Sequence, residues 1–195
     1  MRIVGGTLGG RVLRAPPGAA TRPTSEKVRE ALFNILGKLL GNPLGSVEGD
    51  HVLDVFAGSG AVGIEALSRG AAHVTFIDSG KLAVTAIRGN LADLGVAARA
   101  TVLVQDAVAA CARHRPPAPW RIVFVDPPYR SDLATRAVLA LPSGSLASDA
   151  VIVIEHDRRN APPDALGSLL RTDQRRYGDT MVSFFRPPDH LTVPP

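Results

Sequence analysis

One cysteine, Cys111, stands in 195 residues, so no disulfide can form within the chain and no thiolate-rich zinc site can be assembled. A reducing compartment is the expectation. No stretch approaches the roughly 20 apolar residues that span a bilayer, and no apolar signal core follows the basic residue of Met1-Arg2-Ile3-Val4. The chain is therefore read as cytoplasmic. His51, His73, His114, His156 and His190 are scattered, none at ligand spacing with another acid or thiol, so no metal is expected. The 19 glycines and 16 prolines follow no repeat. With 45% hydrophobic and 21% charged residues, neither a fibrous nor a disordered class fits. What is left is one main globular domain, because this length supports one substantial core and crowds two.

The charge is small in sum and uneven in place. Residues 1–30 hold six basic side chains against two acidic ones, so the whole net charge of +4 lies there, and the rest of the chain is neutral. A basic arm on a neutral body suits a phosphate backbone, since arginine forks hold phosphates and the attraction lengthens the capture range. A merely solvated basic surface is the other reading. The arm reads as a glycine-broken hairpin, with Arg2 to Gly5 on one side and Arg11 to Arg14 on the other. An irregular, proline-rich link follows. Thr24 or Ser25 can then cap a helix whose apolar residues Val28, Ala31, Leu32, Ile35, Leu36, Leu39 and Leu40 share one face, with Glu26, Lys27, Arg29, Glu30 and Lys38 on the other.

Beyond Gly41-Asn42-Pro43 the pattern changes to short β-branched runs separated by helical stretches, the mark of a parallel sheet with crossover helices. Strands are expected at His51–Val55, His73–Ile77, Thr101–Val104, Ile122–Val125 and Val151–Ile154, with helices around 61–69, 82–94 and 134–141. A last pair, Leu169–Tyr177 and Met181–Arg186, flanks the turn Gly178-Asp179-Thr180. Domain limits follow as an arm over 1–23, a main domain over 24–187 and a disordered tail over 188–195. In doubly wound sheets ligands sit beyond the carboxyl ends of the strands, so those ends are where chemistry is sought.

The first strand runs into Phe56-Ala57-Gly58-Ser59-Gly60-Ala61-Val62-Gly63 and then a helix. Glycines permit positive φ and a close ligand approach, and the helix start offers unpaired N–H groups. A nicotinamide dinucleotide could use the same geometry. Asp54, inside the strand, would repel a pyrophosphate and hold a cationic amino acid or sulfonium, which favours S-adenosylmethionine. Asp78, with Ser79 after it, is placed to accept from ribose hydroxyls, and Asp106 with the Ala107 amide to meet an adenine. Helix caps and turns are the alternative uses of these aspartates.

The fourth strand delivers Asp126-Pro127-Pro128-Tyr129 to the same edge. An exocyclic base amine is conjugated with its ring and is a poor nucleophile until something accepts its protons. Asp126 and the Pro127 carbonyl can be those acceptors. The prolines hold the backbone still, and Tyr129 offers a face on which a flipped base can stack. Cys111, in a helical Ala-Cys-Ala context, reads as a packed small residue instead of the thiolate that attack on a cytosine ring would require. Glu155 ends the fifth strand and could face the cleft or be buried. Trp120 reads as a core or edge residue.

The motif order resembles the class I S-adenosylmethionine-dependent methyltransferases. Met1-Arg-Ile-Val-Gly-Gly, Gly10-Arg11, Arg22-Pro23-Thr24, Val28-Arg-Glu-Ala-Leu-Phe-Asn34, Asp54-Val-Phe-Ala-Gly-Ser-Gly60 and Glu65-Ala-Leu-Ser-Arg-Gly-Ala71, with the Asp126 loop, are similar to the RsmD family over essentially the whole chain. The resemblance implies a seven-stranded, mostly parallel Rossmann-like methyltransferase sheet with a C-terminal antiparallel strand and an N-terminal β-hairpin. It implies methylation of the 2-amino group of a specific guanine, of the guanine-966 type, in 16S ribosomal RNA. Site residues then follow as Asp126, Pro127, Pro128 and Tyr129 for catalysis, and Asp54, Phe56, Ala57, Gly58, Ser59, Gly60, Asp78, Ser79, Asp106 and Ala107 for the cofactor. Arg2, Arg11, Arg14, Arg22, Thr24 and Arg29 are the candidate contacts to ribosomal RNA or an assembling small-subunit particle, with a monomer expected. A DNA methyltransferase and a dinucleotide-binding protein are the alternatives.

Overall fold

In the computed structural model, which describes residues 1–16, 25–128 and 132–190, the β-branched runs form one eight-stranded sheet. Its strands are β1 (His51–Val55), β2 (His73–Asp78), β3 (Ala100–Val104), β4 (Trp120–Val125), β5 (Leu146–Asp157), β6 (Ala165–Leu166), β7 (Leu169–Tyr177) and β8 (Thr180–Arg186). They lie in the order β3-β2-β1-β4-β5-β8-β7-β6. β1 to β5 are parallel, and β8, β7 and β6 are added antiparallel. Strand order reverses between β1 and β4, so the topological switch point lies where Val55 and Val125 pair.

Alternation along each buried strand divides the core. On β4, Ile122 and Phe124 face a core shared with α1 (Glu26–Leu39), α2 (Ala61–Ser68) and α3 (Lys81–Asp93). Val123 and Val125 face the other side, packed with α4 (Ala107–Arg113) and α5 (Leu133–Leu139). Residues of period two thus serve two helical layers, and the strands read as continuous apolar runs because both faces are covered.

Several expectations are sharpened. The sheet has eight strands where seven were expected, because two-residue β6 is too short to give a periodic signal. β5 spans 12 residues, Leu146–Asp157, well beyond the apolar run Val151–Ile154, since its polar start lies on a less buried stretch. Trp120 opens β4 and is buried. Pro188–His190 forms a 3-10 turn where the disordered tail was expected to begin. Residues 191–195 lie outside the described residues, as do Arg22, Thr24 and Tyr129.

Ser25 is the cap of α1, its side chain accepting from the Val28 N–H at 3.3 Å. Leu32 and Leu36 are buried as expected, and Phe33 is buried as well, its ring 5.7 Å from that of Phe124. Arg29 requires a correction. Helical periodicity put it on the solvated face, yet it is 1% exposed. It lies beside the fully buried Glu65 of α2, 3.9 Å between Nε and Oε2, and donates to the Arg2 carbonyl. It cannot reach an RNA backbone from there.

The N-terminal segment folds back as a hairpin with a bridge between Arg2 and Val12, the Ile3 N–H donating to the Arg11 carbonyl and that of Leu13 to the Met1 carbonyl. Ile3 and Leu13 are buried in the core below. Glu65 fastens the segment. Its two oxygens accept from the Val4 and Gly5 amides at 2.8 Å each, while Arg69 Nε donates at 2.9 Å. Gly6, at φ 75°, sits where a Cβ would come within 1.9 Å of the Ser68 carbonyl, so only glycine permits this approach.

Candidate active site at the carboxyl edge of the sheet

Between β1 and α2 the chain turns through Phe56, Gly58 and Gly60 with φ of 62°, 56° and 75°. Phe56 is one of two such non-glycine residues described, so the loop carries local strain. Gly60 N–H closes the turn on the Ala57 carbonyl at 2.7 Å. Gly63 lets α2 press against β2, because a Cβ there would lie 2.3 Å from the Phe76 ring. Gly58 does the reverse and backs onto open space, with nothing nearer than 4.0 Å to an added Cβ. That gap is a place for a ligand against bare backbone.

The aspartates that end the strands hold this loop in shape. Asp78 accepts from the Gly58 N–H at 2.8 Å through one oxygen and from the Gly80 N–H at 2.7 Å through the other. Asp54, 4% exposed, accepts from the Gly63 N–H at 2.9 Å. It therefore braces the start of α2 from beneath, where the sequence suggested a direct hold on a cationic ligand. Asp106 caps α4, accepting from the Ala109 N–H at 2.9 Å. The capping alternative describes Asp106 in this state, although the residue is exposed and its neighbours Val104 and Gln105 are open too. Ala107 is buried behind it.

Asp126 follows β4, its N–H donating to the Val55 carbonyl at 3.2 Å across the switch point. Its side chain is exposed. Its pKa stands well above the ordinary carboxylate value, through loss of hydration and through the charges of Glu155 and Asp54. Pro127 and Pro128 border a cleft of about 470 Å³ with Glu155, His156 and Thr135. His156 is held in one tautomer. Nδ1 lies 2.8 Å from the Asp157 carbonyl, which can only accept, so Nε2 accepts from Ser183 Oγ at 2.9 Å.

Asp78, Asp54, Asp126 and Glu155 come from β2, β1, β4 and β5, four neighbours in the sheet, and each affects the next through charge. Burial, with the charge of Asp78 adding to it, raises the Asp54 pKa to about 7 against the pull of the Gly63 N–H. A pKa higher in the folded than the unfolded state makes stability greatest below about pH 4, and it declines as pH rises towards 7. Asp54→Asn removes this titration. Unfolding of the ligand-free protein should show wild type falling behind the Asn variant by a few kcal/mol between about pH 5 and about pH 7.5. Parallel stability curves would refute a raised Asp54.

Neither Glu155 nor the Glu65 clasp was assigned a role from sequence. Glu155 followed a strand and could have been weighed with the aspartates. The Glu65 clasp had no local signal, since the Val4 and Gly5 amides it holds are 61 and 60 residues away. Among the described residues no group of three His, Cys, Asp or Glu is arranged to hold a metal ion.

Parallel strands in this order, a glycine turn at β1 and an acidic row capped by Asp-Pro-Pro define a Rossmann-like methyltransferase. The chain belongs to the RsmD family, whose profile, described as conserved hypothetical protein 95, matches residues 1–186. It is 39% identical over 164 residues to ribosomal RNA small subunit methyltransferase D of Escherichia coli, covering 84% of this chain and 78% of that one. A Bacillus subtilis protein provisionally named rRNA methyltransferase YlbH is 38% identical, with 95% and 98% covered. A solved Escherichia coli structure, provisionally named methyltransferase YhhF, superposes with a TM-score of 0.78 at 34% identity, covering 96% of this chain and 97% of that one.

Proposed function

We propose that this protein is a ribosomal RNA methyltransferase that uses S-adenosylmethionine to methylate the 2-amino group of a guanine in the small-subunit RNA. The observation that carries the reading is the row of four carboxylates beside an open glycine turn. Such a row repels the pyrophosphate of a dinucleotide and favours a ligand bearing an ammonium and a sulfonium. The residues present fit that ligand: bare backbone at Gly58, Asp78 to receive ribose hydroxyls, and the open end of β3 at Val104 to Asp106 for the base. When bound, S-adenosylmethionine supplies a methyl carbon activated by the adjacent sulfonium.

The chain's own part is to make a conjugated amine nucleophilic. The Asp126 carboxylate and the Pro127 carbonyl accept hydrogen bonds from the two amine N–H groups, which would draw the nitrogen lone pair out of conjugation with the ring. The proton lost on methylation passes to Asp126, whose raised pKa suits it to take one. Pro127 and Pro128 have no N–H to compete and keep the acceptors fixed. Tyr129 stacks on the flipped base in this scheme. Arg2, Arg11 and Arg14 are exposed and serve as phosphate contacts, though Arg14 already pairs with Asp93 at 2.5 Å. The protein acts as a monomer in the cytoplasm, where its RNA is assembled.

Incubation with labelled S-adenosylmethionine and unmethylated small-subunit RNA, small-subunit particles or DNA tests the reading. Label should appear in N2-methylguanosine. Label in methyladenine or methylcytosine of DNA would overturn the substrate, and calorimetric binding of NAD without S-adenosylmethionine would overturn the cofactor.

A further inference from the structure

Past the Asp126 loop, the carboxyl edge of the sheet ends in two adjacent turns. β5 runs out at Asp157 into Arg158-Arg159-Asn160, and β7 turns through Gly178-Asp179 into β8, where Thr180 pairs with Asp157. The turns enclose a cleft of about 500 Å³ lined by Arg158, Arg159, Asn160, Arg176 and Met181. It shares Asp157, Arg159 and Asn160 with the cleft bordered by Pro127, Pro128 and Glu155. One groove therefore runs from the catalytic loop to the hairpin tip.

Charge changes sign along this groove. The catalytic end is acidic, whereas Arg158, Arg159 and Arg176 at the far end are all exposed. Among the described residues no ion pair joins any of these three to a carboxylate, while nearby Arg171 and Arg175 are paired with Asp164 and Asp173. Asp157 also lines the far end, but its oxygens accept from the Arg159 and Asn160 amides at 2.7 and 2.9 Å and from Asn160 Nδ2 at 2.7 Å. It shapes the turn that carries the arginines. Arg176 Nε donates to the Gly178 carbonyl at 2.8 Å, tying its guanidinium to the hairpin tip. With Asp179 counted as well, the far end is still net positive.

We propose that this arginine groove is a phosphate-binding site for the RNA strand that carries the target base. Arginine suits the task because its planar fork matches two phosphate oxygens at once. A base flipped onto the Asp126 loop brings its own backbone with it, and that backbone must leave the acidic cleft on some side. The groove is the side on which charge attracts it. Phosphate contacts of this kind fix register without reading sequence. The basic N-terminal arm then has a counterpart on the far side of the catalytic loop, built from residues that are distant in the chain. This inference rests on the reading of RNA as the substrate.

The test is binding of unmethylated small-subunit RNA over a salt series, for the full-length protein and two triple variants. Arg158→Ala/Arg159→Ala/Arg176→Ala should flatten the slope of log affinity against log salt by about 2, at roughly 0.7 for each phosphate of a single strand, and weaken binding at least about tenfold near physiological salt. Affinity for S-adenosylmethionine and the melting temperature should not change, since all three side chains are exposed. The corresponding triple Arg→Lys variant should keep most of the slope. An unchanged slope in the alanine variant, or an equal loss in the lysine variant, overturns the groove and leaves the substrate reading standing. Failure of the unsubstituted protein to bind RNA overturns both.

Discussion

Asp126→Ala is expected to leave affinity for S-adenosylmethionine within about twofold of normal and to slow methylation by at least about two orders of magnitude, the scale of losing one positioned acceptor. The separation follows from place. The aspartates that shape the glycine turn, Asp54 and Asp78, bond to Gly63, Gly58 and Gly80 and do not depend on Asp126. Asp126 hangs beyond the last pairing of β4, tied to the sheet by its N–H to Val55 and not by its carboxylate. Truncating the carboxylate therefore removes an acceptor without loosening the strand. The pH profile gives a second check. Asp126 can take the amine proton only when ionised, and loss of hydration together with Glu155 and Asp54 raises its pKa, so the rate should rise with pH through an apparent pKa above the usual carboxylate range, one that belongs to the Asp126–Glu155 pair. Single-turnover rates and calorimetry suffice. Near-normal turnover in Asp126→Ala, or a rate that falls across that range, removes Asp126 from the mechanism.

Glu65→Gln should be the most damaging single change away from the catalytic loop. The side chain is 0% exposed and accepts from two backbone amides and Arg69, with Arg29 alongside. An amide has one acceptor oxygen where the carboxylate has two, and it leaves two enclosed guanidinium groups facing a neutral partner. Breaking such a buried pair costs about 3–5 kcal/mol. For a chain of this size that corresponds to a fall in melting temperature of roughly 6–20 °C. Hydrogen exchange should locate part of the effect, with the Val4 and Gly5 amides losing protection. A shift under about 2 °C would mean the clasp contributes little. Burial lowers the Arg29 pKa while Glu65 and Glu26 oppose the fall.

The parallel sheet could be read from sequence because its signals are local. Val52 to Val55, Val74 to Ile77 and Ile122 to Val125 are mostly apolar, β-branched runs between glycine-rich or polar breaks, and each became a strand with limits within two residues of those expected. The Asp126 loop was legible for the same reason, since strand and motif are contiguous. What escaped is what depends on distant partners. Arg29 has the spacing of a surface residue, and only the arrival of Glu65, 36 positions later, makes its burial tolerable. Asp106 showed the opposite limit: a residue after a strand and before a helix is already a cap, and sequence could not tell whether it was also something more. The arginine groove joins positions 158, 159 and 176 through the pairing of β5 with β8, whose register no local pattern specifies.

Asn90 shows how closely two of these regions are joined. Buried in α3, its Oδ1 accepts from the Arg14 N–H at 2.8 Å, and its Nδ2 donates to the Arg14 carbonyl at 3.1 Å and to the Ser59 carbonyl of the glycine turn at 3.2 Å. One carboxamide thus spans the basic arm and the glycine turn. Were a ligand at the turn to shift Ser59 and through Asn90 the arm, reciprocity would require a strand gripping the arm to alter the hold on that ligand to the same degree. On the function proposed above, substrate and methyl donor would be tied by this single side chain, each reporting its presence to the other.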